Sequence, residues 1–201
     1  MFAKSSEKVI NAPAEQKNLK LCLDCELPLD GLWAFGWREG TLAKLVEEYK
    51  YQSVRAIGDE LVELLDFALP EAFKTLENVI VVPLPTIGKH VRERGLDHTL
   101  LIAKKLAKRH GWGYRQVLMR AADTVQVGAK VADRKTQAAR AYALRDKLDP
   151  DANYLLLDDV WTTGASMLAA AQVLRKAGAK RLYGAVVAVS PDKAAQAEPE
   201  V

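Results

Sequence analysis

Short apolar stretches rich in β-branched residues alternate along this chain with longer stretches whose apolar residues recur every three or four positions. NVIVVPLP (78–85), YLLLDDV (154–160) and RLYGAVVAVS (181–190) are typical of buried strands. LDHTLLIAKKLAKRHG (96–111) and ASMLAAAQVLRKAG (165–178) show helical spacing, and each ends at a glycine. Because strands alternate with helices, the sequence predicts an α/β domain built on a mostly parallel sheet that is flanked by helices.

The other segments complete the outline of the chain. TLAKLVEEYKY (41–51) and SVRAIGDELVELLDFAL (53–69) predict two amphipathic helices, and YRQVLMR (114–120) predicts a short strand. Residues 120–145 are polar, basic and weakly periodic, and a long insertion of this kind in a compact domain is more often a functional hood than a plain connector. Both ends, 1–20 and 191–201, are expected to be flexible tails.

Length and charge limit the classes of protein to which the chain can belong. Its 201 residues fit one main domain, and 29 Lys and Arg against 26 Asp and Glu are too balanced for a polybasic binder. No stretch approaches the roughly 18 consecutive apolar residues of a membrane span, and residues 1–20 lack the apolar core of a signal peptide. We therefore expect a cytoplasmic protein in which any nucleic-acid contact comes from a local patch.

Two adjacent aspartates, Asp158 and Asp159, stand at the end of the predicted strand that begins YLLL. In open α/β sheets, ligands bind at the carboxyl ends of strands. Hydroxyls and backbone N–H groups at the positive end of a helix are suited to a phosphate. The turn that follows leads directly into a helix and offers such groups from Thr162, Thr163, Gly164, Ala165 and Ser166.

A sugar phosphate is a ligand that both parts of this motif could bind. Its phosphate would lie in the turn, while the acids accept hydrogen bonds from ring hydroxyls or hold Mg²⁺, which prefers oxygen ligands. The alternative is structural: Asp158 ends the strand, Asp159 turns the chain and Thr163 caps the helix. Neither G-x-x-x-x-G-K-[ST] nor G-x-G-x-x-G occurs, so the sequence does not support a P-loop NTPase or a dinucleotide-binding enzyme.

The only cysteines, Cys22 and Cys25, form the motif CLDC, whose spacing suits a metal knuckle or a redox pair. A four-coordinate zinc site needs two more ligands, and the histidines all lie far downstream. A redox motif would precede a helix, whereas ELPLDG follows here. We therefore favour a pair that holds no metal over a zinc site.

The segment KKLAKRHGWGYRQVLMR (104–120) interleaves basic residues with aromatic ones. Single-stranded DNA binding uses basic groups for the backbone and aromatic rings for stacking. The alternative is a solvated helix face whose positive charge is favourable at a helix C-terminus. The candidate nucleic-acid contacts are Lys104, Lys105, Lys108, Arg109, Trp112 and Arg115.

LLLDDVWTTGAS (155–166) resembles the phosphoribosyl-diphosphate (PRPP) binding signature of type I phosphoribosyltransferases. Three further stretches make the chain similar to the ComF family of competence proteins over roughly residues 20–190: VVPLP followed by RERGLDH, VQVGAKVADRKTQAARAY, and CLDC ahead of LAKLVEEYKY. The resemblance implies a short, degenerate zinc-ribbon-like segment over 21–40. It also implies a type I phosphoribosyltransferase-like fold with a hood segment over 41–190.

The resemblance also implies roles for individual residues. Asp158 and Asp159 would contact the ribose hydroxyls and Mg²⁺, and Thr162 through Ser166 would hold the 5′-phosphate. The hood residues Arg134 and Lys135 would close over the diphosphate and neutralise its charge as it leaves. The loop that meets the diphosphate would contain Pro83, Leu84, Pro85, Arg92, Arg94 and Gly95.

The sequence departs from the family pattern at several positions. GLDH puts Leu96, Asp97 and His98 where an aromatic residue, Asn and Gln are usual, and we predict that Asp97 caps the following helix. The hood has Gln137 in place of Asn, and the ribbon has two cysteines instead of four. Trp161, inside the signature, could stack on a ring or pack in the core.

The family resemblance implies a role in DNA uptake during natural transformation. The partners it implies are PRPP or a related sugar phosphate, single-stranded DNA, a competence helicase and other DNA-uptake proteins. The alternative is an active phosphoribosyltransferase of nucleotide metabolism or salvage, in which a nucleophile displaces diphosphate from PRPP. The sequence alone leaves both open.

Overall fold

A computed structural model describes residues 28–52, 55–86, 88, 91, 97–121 and 141–191. Several predicted features lie outside these residues and stay predictions: the N-terminal tail, nearly all of the C-terminal tail, Cys22, Cys25, Arg92, Arg94, Gly95, Arg134, Lys135 and Gln137.

Strands and helices alternate along most of the described chain. None of the helices in the described ranges is long and apolar enough to cross a membrane. In chain order the elements are β1 (Gly31–Trp37), α1 (Gly40–Gln52), α2 (Arg55–Ala68), α3 (Glu71–Lys74), β2 (Val79–Pro83), α4 (His98–His110), β3 (Gly113–Tyr114), β4 (Leu118–Arg120), β5 (Tyr142–Leu144), β6 (Asn153–Trp161), α5 (Ala165–Lys176) and β7 (Arg181–Val189).

Five strands form one sheet in the order β1-β7-β6-β2-β3, and every neighbouring pair is parallel. The central strand β6 is hydrogen-bonded to β2 on one side and to β7 on the other. The register places Leu157 beside Pro83 and Asp158 beside Val186. The predicted α/β class and mostly parallel sheet are confirmed.

Helices cover both faces of the sheet, so successive strand residues enter two different cores. Leu155 and Leu157 pack with residues of α1, α2 and α4 in one core. Tyr154 and Leu156 pack with residues of α5 in the other. Since all four side chains are fully buried, β6 has a continuous apolar run instead of an alternating pattern.

The sheet begins earlier in the chain than the sequence predicts. Residues 31–37 lie in the predicted 21–40 segment, but they form β1 and pair with β7 up to Trp37 beside Val189. Their sequence, GLWAFGW, has none of the β-branched residues that mark β2 and β7. The boundary predicted at residue 41 therefore does not coincide with the start of the sheet.

The strand predicted over 114–120 is divided between two sheets. β3 ends at Tyr114 at the edge of the main sheet, whereas β4 pairs antiparallel with β5 in a separate ribbon. Arg120 lies beside Tyr142 in that ribbon. The ribbon joins the two ends of the predicted hood, whose central residues are not described. A pairing between such distant strands leaves no local signal in the sequence.

Both predicted ends of α4 are confirmed. The Asp97 carboxylate accepts a hydrogen bond from the Leu100 N–H at 3.1 Å, which is the predicted N-cap contact. Gly111 has a left-handed φ of 67° and ends the helix.

We expect Leu155→Ala and Leu156→Ala each to lower the free energy of unfolding by about 2–5 kcal/mol, because each leaves a cavity in one of the two cores. Met119→Ala is the control: this side chain is 47% exposed, and its loss should cost about 0.5 kcal/mol or less. Urea unfolding measures all three. If either leucine variant costs no more than the control, β6 does not lie between two cores.

Candidate functional site

The predicted PRPP site lies where β2 ends beside β6. Pro83 is beside Leu157, and the Leu84 N–H donates to the Leu157 carbonyl at 2.9 Å. Asp158 follows at once, and β6 continues along β7 to Trp161. The sheet therefore brings the described part of the predicted diphosphate loop next to the aspartates.

The pleat of β6 separates the two aspartates. Successive strand side chains point to opposite faces. Asp158 therefore lies on the same face as Leu156, under α5, and Asp159 lies on the same face as Leu157, under α1. The Asp159 N–H also donates to Asp158 Oδ1 at 2.9 Å. Two like charges can be adjacent in sequence because they belong to different sides of the sheet.

Asp159 forms an ion pair with Lys50, in the last turn of α1. Lys50 Nζ lies 2.7 Å from Asp159 Oδ2, and the two side chains are only 19% and 15% exposed. Salt screens such a pair much less than an exposed one. Sequence reasoning missed Lys50, because the helical spacing of LAKLVEEYKY does not show where in the fold the helix ends.

Gly164 allows the chain to turn from β6 into α5. Its φ is 73°, and a Cβ atom at this position would lie 2.1 Å from the Trp161 ring. The Ala165 N–H donates only a long hydrogen bond, 3.4 Å, to the Thr163 hydroxyl oxygen. Ala165 and Ser166 are exposed. The first N–H groups of α5 are therefore placed where the helix dipole favours an anion.

A small pocket with a volume of about 30 Å³ opens at this turn. It is large enough for one small group, such as a phosphate, with the rest of a ligand outside. Asp159 and Thr163 are not part of its wall. The lining residues come from the end of β6, the turn, the start of α5 and β7: Asp158, Val160, Trp161, Thr162, Gly164, Ala165, Ser166, Met167 and Val186.

Trp161 forms part of the core. Its side chain is 6% exposed and packs with the residues under α5. Gly164 lies directly against its ring. Of the two alternatives for this residue, core packing is the one that the structure confirms.

Two residues that flank the segment between β2 and α4 are hydrogen-bonded to each other near the aspartates. The Thr86 hydroxyl donates to Asp97 Oδ1 at 3.1 Å, and the same carboxylate caps α4. Asp97 is close enough for its charge to affect the pKa of Asp158. The cap residue therefore adds a third carboxylate to the surroundings of the site.

Arg120 supplies a cation beside the residues that follow β2. Its Nε donates to the Pro85 carbonyl at 3.4 Å, and its guanidinium lies 5.2 Å from the centre of the Tyr142 ring. The Ser166 side chain is close enough to the Tyr142 hydroxyl to act on its pKa. Arg120 and Tyr142 therefore lie between the residues that follow β2 and the start of α5. Sequence reasoning assigned neither residue to this site, since the contacts join distant segments.

Two cations of the predicted nucleic-acid segment have acidic partners on α2. Lys105 Nζ lies 2.5 Å from Asp59 Oδ1, and Arg109 Nε lies 3.6 Å from Asp66 Oδ2. Part of the positive charge of α4 is therefore neutralised within the domain.

The other members of that segment differ in exposure. Lys104 and Lys108 are exposed. Trp112 is partly buried, with its ring stacked on that of His110 at a centroid distance of 4.2 Å. Arg115 donates a hydrogen bond of 3.0 Å to a backbone carbonyl after β5. The exposed lysines are therefore the members best placed to meet a nucleic-acid backbone.

Burial, and after it the Asp159 carboxylate, raise the pKa of Asp158 from 3.8 to about 8. The Asp159 N–H and the Lys50 ammonium act in the opposite direction, and Asp97 adds to the rise. In the free protein these interactions favour the neutral form of Asp158. Protonation lowers the electrostatic cost of holding two adjacent acids at the end of a buried strand.

The donor set fits a magnesium ion that arrives together with its ligand. In the part of the chain that the structure describes, no three His, Cys, Asp or Glu side chains come together to hold a metal. Mg²⁺ needs no such cluster, because it commonly binds one or two carboxylates and completes its shell with substrate phosphates and water. Asp158, which lines the pocket, and Asp159, which does not, would provide these carboxylates.

No protein-family model matches the chain, and a search of curated proteins finds no match. The motifs and the geometry of the site are therefore the basis for a function.

We expect Asp158→Asn to stabilise the protein, by a margin that increases with pH. Because its pKa is raised on folding, Asp158 binds a proton more tightly in the folded protein than in the unfolded chain. Ionising it therefore costs folding free energy. The cost is absent below about pH 4 and is complete above about pH 8. Asn removes the charge but can still accept the Asp159 N–H bond.

Urea unfolding at about pH 4.5 and about pH 8.5 measures this margin, which should be larger at the higher pH by at least about 1 kcal/mol. Asp149→Asn is the control whose margin should stay flat over this range. The Asp151 N–H and Asn78 hold the pKa of Asp149 below its ordinary value, so the stability that its ionised form contributes is already present at about pH 4.5 and is lost only at lower pH. A flat margin for Asp158→Asn would contradict the raised pKa.

Proposed function

We propose that this chain is a ComF-like protein of DNA uptake whose α/β domain binds PRPP with Mg²⁺ at the carboxyl end of β6. The 5′-phosphate occupies the pocket at the turn, and the ribose hydroxyls and the cation lie at Asp158 and Asp159. The observation that carries this proposal is the pocket itself, in which one carboxylate, the turn hydroxyls and the first N–H groups of α5 converge.

A sugar phosphate matches the distribution of charge at this site. A simple phosphate would use only the turn and would be repelled by the neighbouring acids. A ribose attached to the phosphate places hydroxyl donors at the carboxylates instead. The separation of Asp158 and Asp159 onto two faces gives the cation a carboxylate that does not line the phosphate pocket.

Mg²⁺ would be held by Asp158 and Asp159, and when bound it would neutralise the charge of the diphosphate. The remaining task belongs to the chain's own residues. The turn orients the 5′-phosphate through fixed N–H groups, and Arg120 adds positive charge beside the loop after β2.

The type I phosphoribosyltransferase fold is part of this proposal. The site lies on the central strand of an open parallel sheet, at the edge where ligands bind in such sheets. Its two halves come from β6 with the following turn and from the end of β2, the segments that carry the PRPP signature and VVPLP.

The position of Trp161 favours binding of PRPP over transfer of its phosphoribosyl group to a base. This was the candidate for stacking on a nucleobase, and its ring is buried in the core. An active phosphoribosyltransferase stays the alternative. Release of diphosphate from PRPP in the presence of candidate bases, measured with a coupled assay, separates turnover from binding.

Binding of PRPP should be detected by isothermal titration in the presence of Mg²⁺. The double variant Asp158→Asn, Asp159→Asn should bind at least about tenfold more weakly, a loss of about 1.4 kcal/mol, because the cation and the ribose hydroxyls both lose their acceptors. Asp151→Asn is the matched control. This exposed aspartate lies just before the start of β6, at the other end of the strand from the site. The proposal is wrong if the unmutated protein gives no heat of binding with PRPP. It is also wrong if the double variant binds PRPP as tightly as the unmutated protein.

Gly164→Ala and Gly178→Ala form a second matched pair at the two ends of α5. Both glycines have positive φ, but a Cβ at Gly164 would meet the Trp161 ring, whereas one at Gly178 meets nothing within 4 Å. We expect both substitutions to strain the backbone and only Gly164→Ala to weaken PRPP binding, because it alone displaces the turn. Equal affinities of the two variants would show that the turn does not hold the phosphate.

Direct contact with single-stranded DNA should depend on the exposed lysines of α4. For the double variant Lys104→Gln, Lys108→Gln, the slope of log affinity against log salt should fall by about 1.4, since each lost phosphate contact removes about 0.7. Lys105→Gln is the control, because Asp59 already pairs with this lysine. Oligonucleotide binding with an unchanged slope in the double variant would exclude this surface.

A further inference from the structure

Lys50 is held at the site by the packing of the residue that precedes it. The Tyr49 hydroxyl donates to the His98 carbonyl at 3.1 Å, and the two rings meet edge-on at 4.8 Å. Gly58 of α2 leaves room for the Tyr49 ring, since a Cβ there would lie 3.1 Å from it. The last turn of α1 is therefore clamped between α2 and α4, and this places the Lys50 ammonium at Asp159.

The Lys50 ammonium lies against one oxygen of the carboxylate that a divalent cation would use. Mg²⁺ binds oxygen ligands at about 2.1 Å, whereas Lys50 Nζ already lies 2.7 Å from Asp159 Oδ2. Two cations this close repel each other, and the repulsion is strong because the pair is largely shielded from water. The cation can therefore bind Asp159 well only when Lys50 moves away.

A lysine that leaves a partly buried carboxylate needs another anion as its partner, because an unpaired charge in such a place is costly. A ligand that carries phosphate groups supplies that anion at the moment when the cation arrives. A free cation supplies none. The ion pair therefore favours a cation that arrives with phosphate groups over a free cation.

We propose that Lys50 is a specificity-determining residue, which makes the site accept a cation–polyphosphate complex in preference to the free cation. The inference rests on the proposed function, since it concerns the carboxylates that would hold the cation there. Without polyphosphate, Lys50 competes with the cation for Asp159. With polyphosphate, the ammonium transfers to a phosphate oxygen and the cation takes its place.

Binding of Mn²⁺, measured by the loss of the free-ion signal in electron paramagnetic resonance, tests this competition without any assay of activity. Lys50→Gln removes the charge but keeps an N–H donor for Asp159, and it should bind Mn²⁺ alone about tenfold more tightly than the unmutated protein. PRPP should strengthen Mn²⁺ binding in both proteins, and about tenfold less in Lys50→Gln.

Two controls separate competition from a general effect of charge. Lys44→Gln changes the net charge equally at an exposed position of the same helix, and it should leave Mn²⁺ binding unchanged. Lys50→Arg keeps the charge and should bind Mn²⁺ as weakly as the unmutated protein. Lys50→Met also removes the charge, so it keeps the test decisive if Lys50→Gln does not fold.

Mn²⁺ binding by Lys50→Gln that is unchanged or weaker overturns the inference, and so does the absence of Mn²⁺ binding by both proteins. If PRPP binds while Lys50→Gln leaves the Mn²⁺ affinity unchanged, the inference fails and the proposed function stands. If Mn²⁺ binds more tightly to Lys50→Gln but PRPP affects neither protein, the competition stands and the proposed ligand is wrong.

Discussion

The central strand β6 is hydrogen-bonded on both sides and covered on both faces, and its pleat determines how the site is arranged. Below the site, the alternation sends leucines into two cores. At the end of the strand, the same alternation sends Asp158 towards the pocket under α5 and Asp159 towards Lys50 on α1. β6 therefore supplies both the buried leucines beneath the site and one acid on each face of the sheet.

The free site has two ways of lowering the repulsion between its acids. Burial and Asp159 raise the pKa of Asp158, which favours its neutral form. Asp159 forms an ion pair with Lys50. A cation bound at these carboxylates would replace both, since it favours ionised carboxylates and repels the ammonium. Under the proposed function, Asp158 and Lys50 would therefore influence which ligand binds.

The sequence predicts the elements whose signals are local. Apolar runs marked β2, β6 and β7, helical spacing marked the helices, and Asp97 and Gly111 marked both ends of α4. What it missed depends on contacts between distant segments: β1, which lacks β-branched residues and is stabilised by β7, and the approach of Lys50 and Arg120 to the site. The motif LLLDDVWTTGAS named the residues of the turn, but only the fold shows that the two aspartates face different elements.

We propose that the turn binds the 5′-phosphate of the ligand and that the aspartates bind its ribose hydroxyls and the metal. A crystal structure of the protein with PRPP and Mg²⁺ tests this most directly. The account predicts the 5′-phosphate in the pocket against the N–H groups that begin α5, with the ribose hydroxyls and the metal at Asp158 and Asp159 and the Lys50 ammonium moved to a phosphate oxygen. A ligand bound elsewhere, or a phosphate outside the turn while Lys50 still pairs with Asp159, would contradict it.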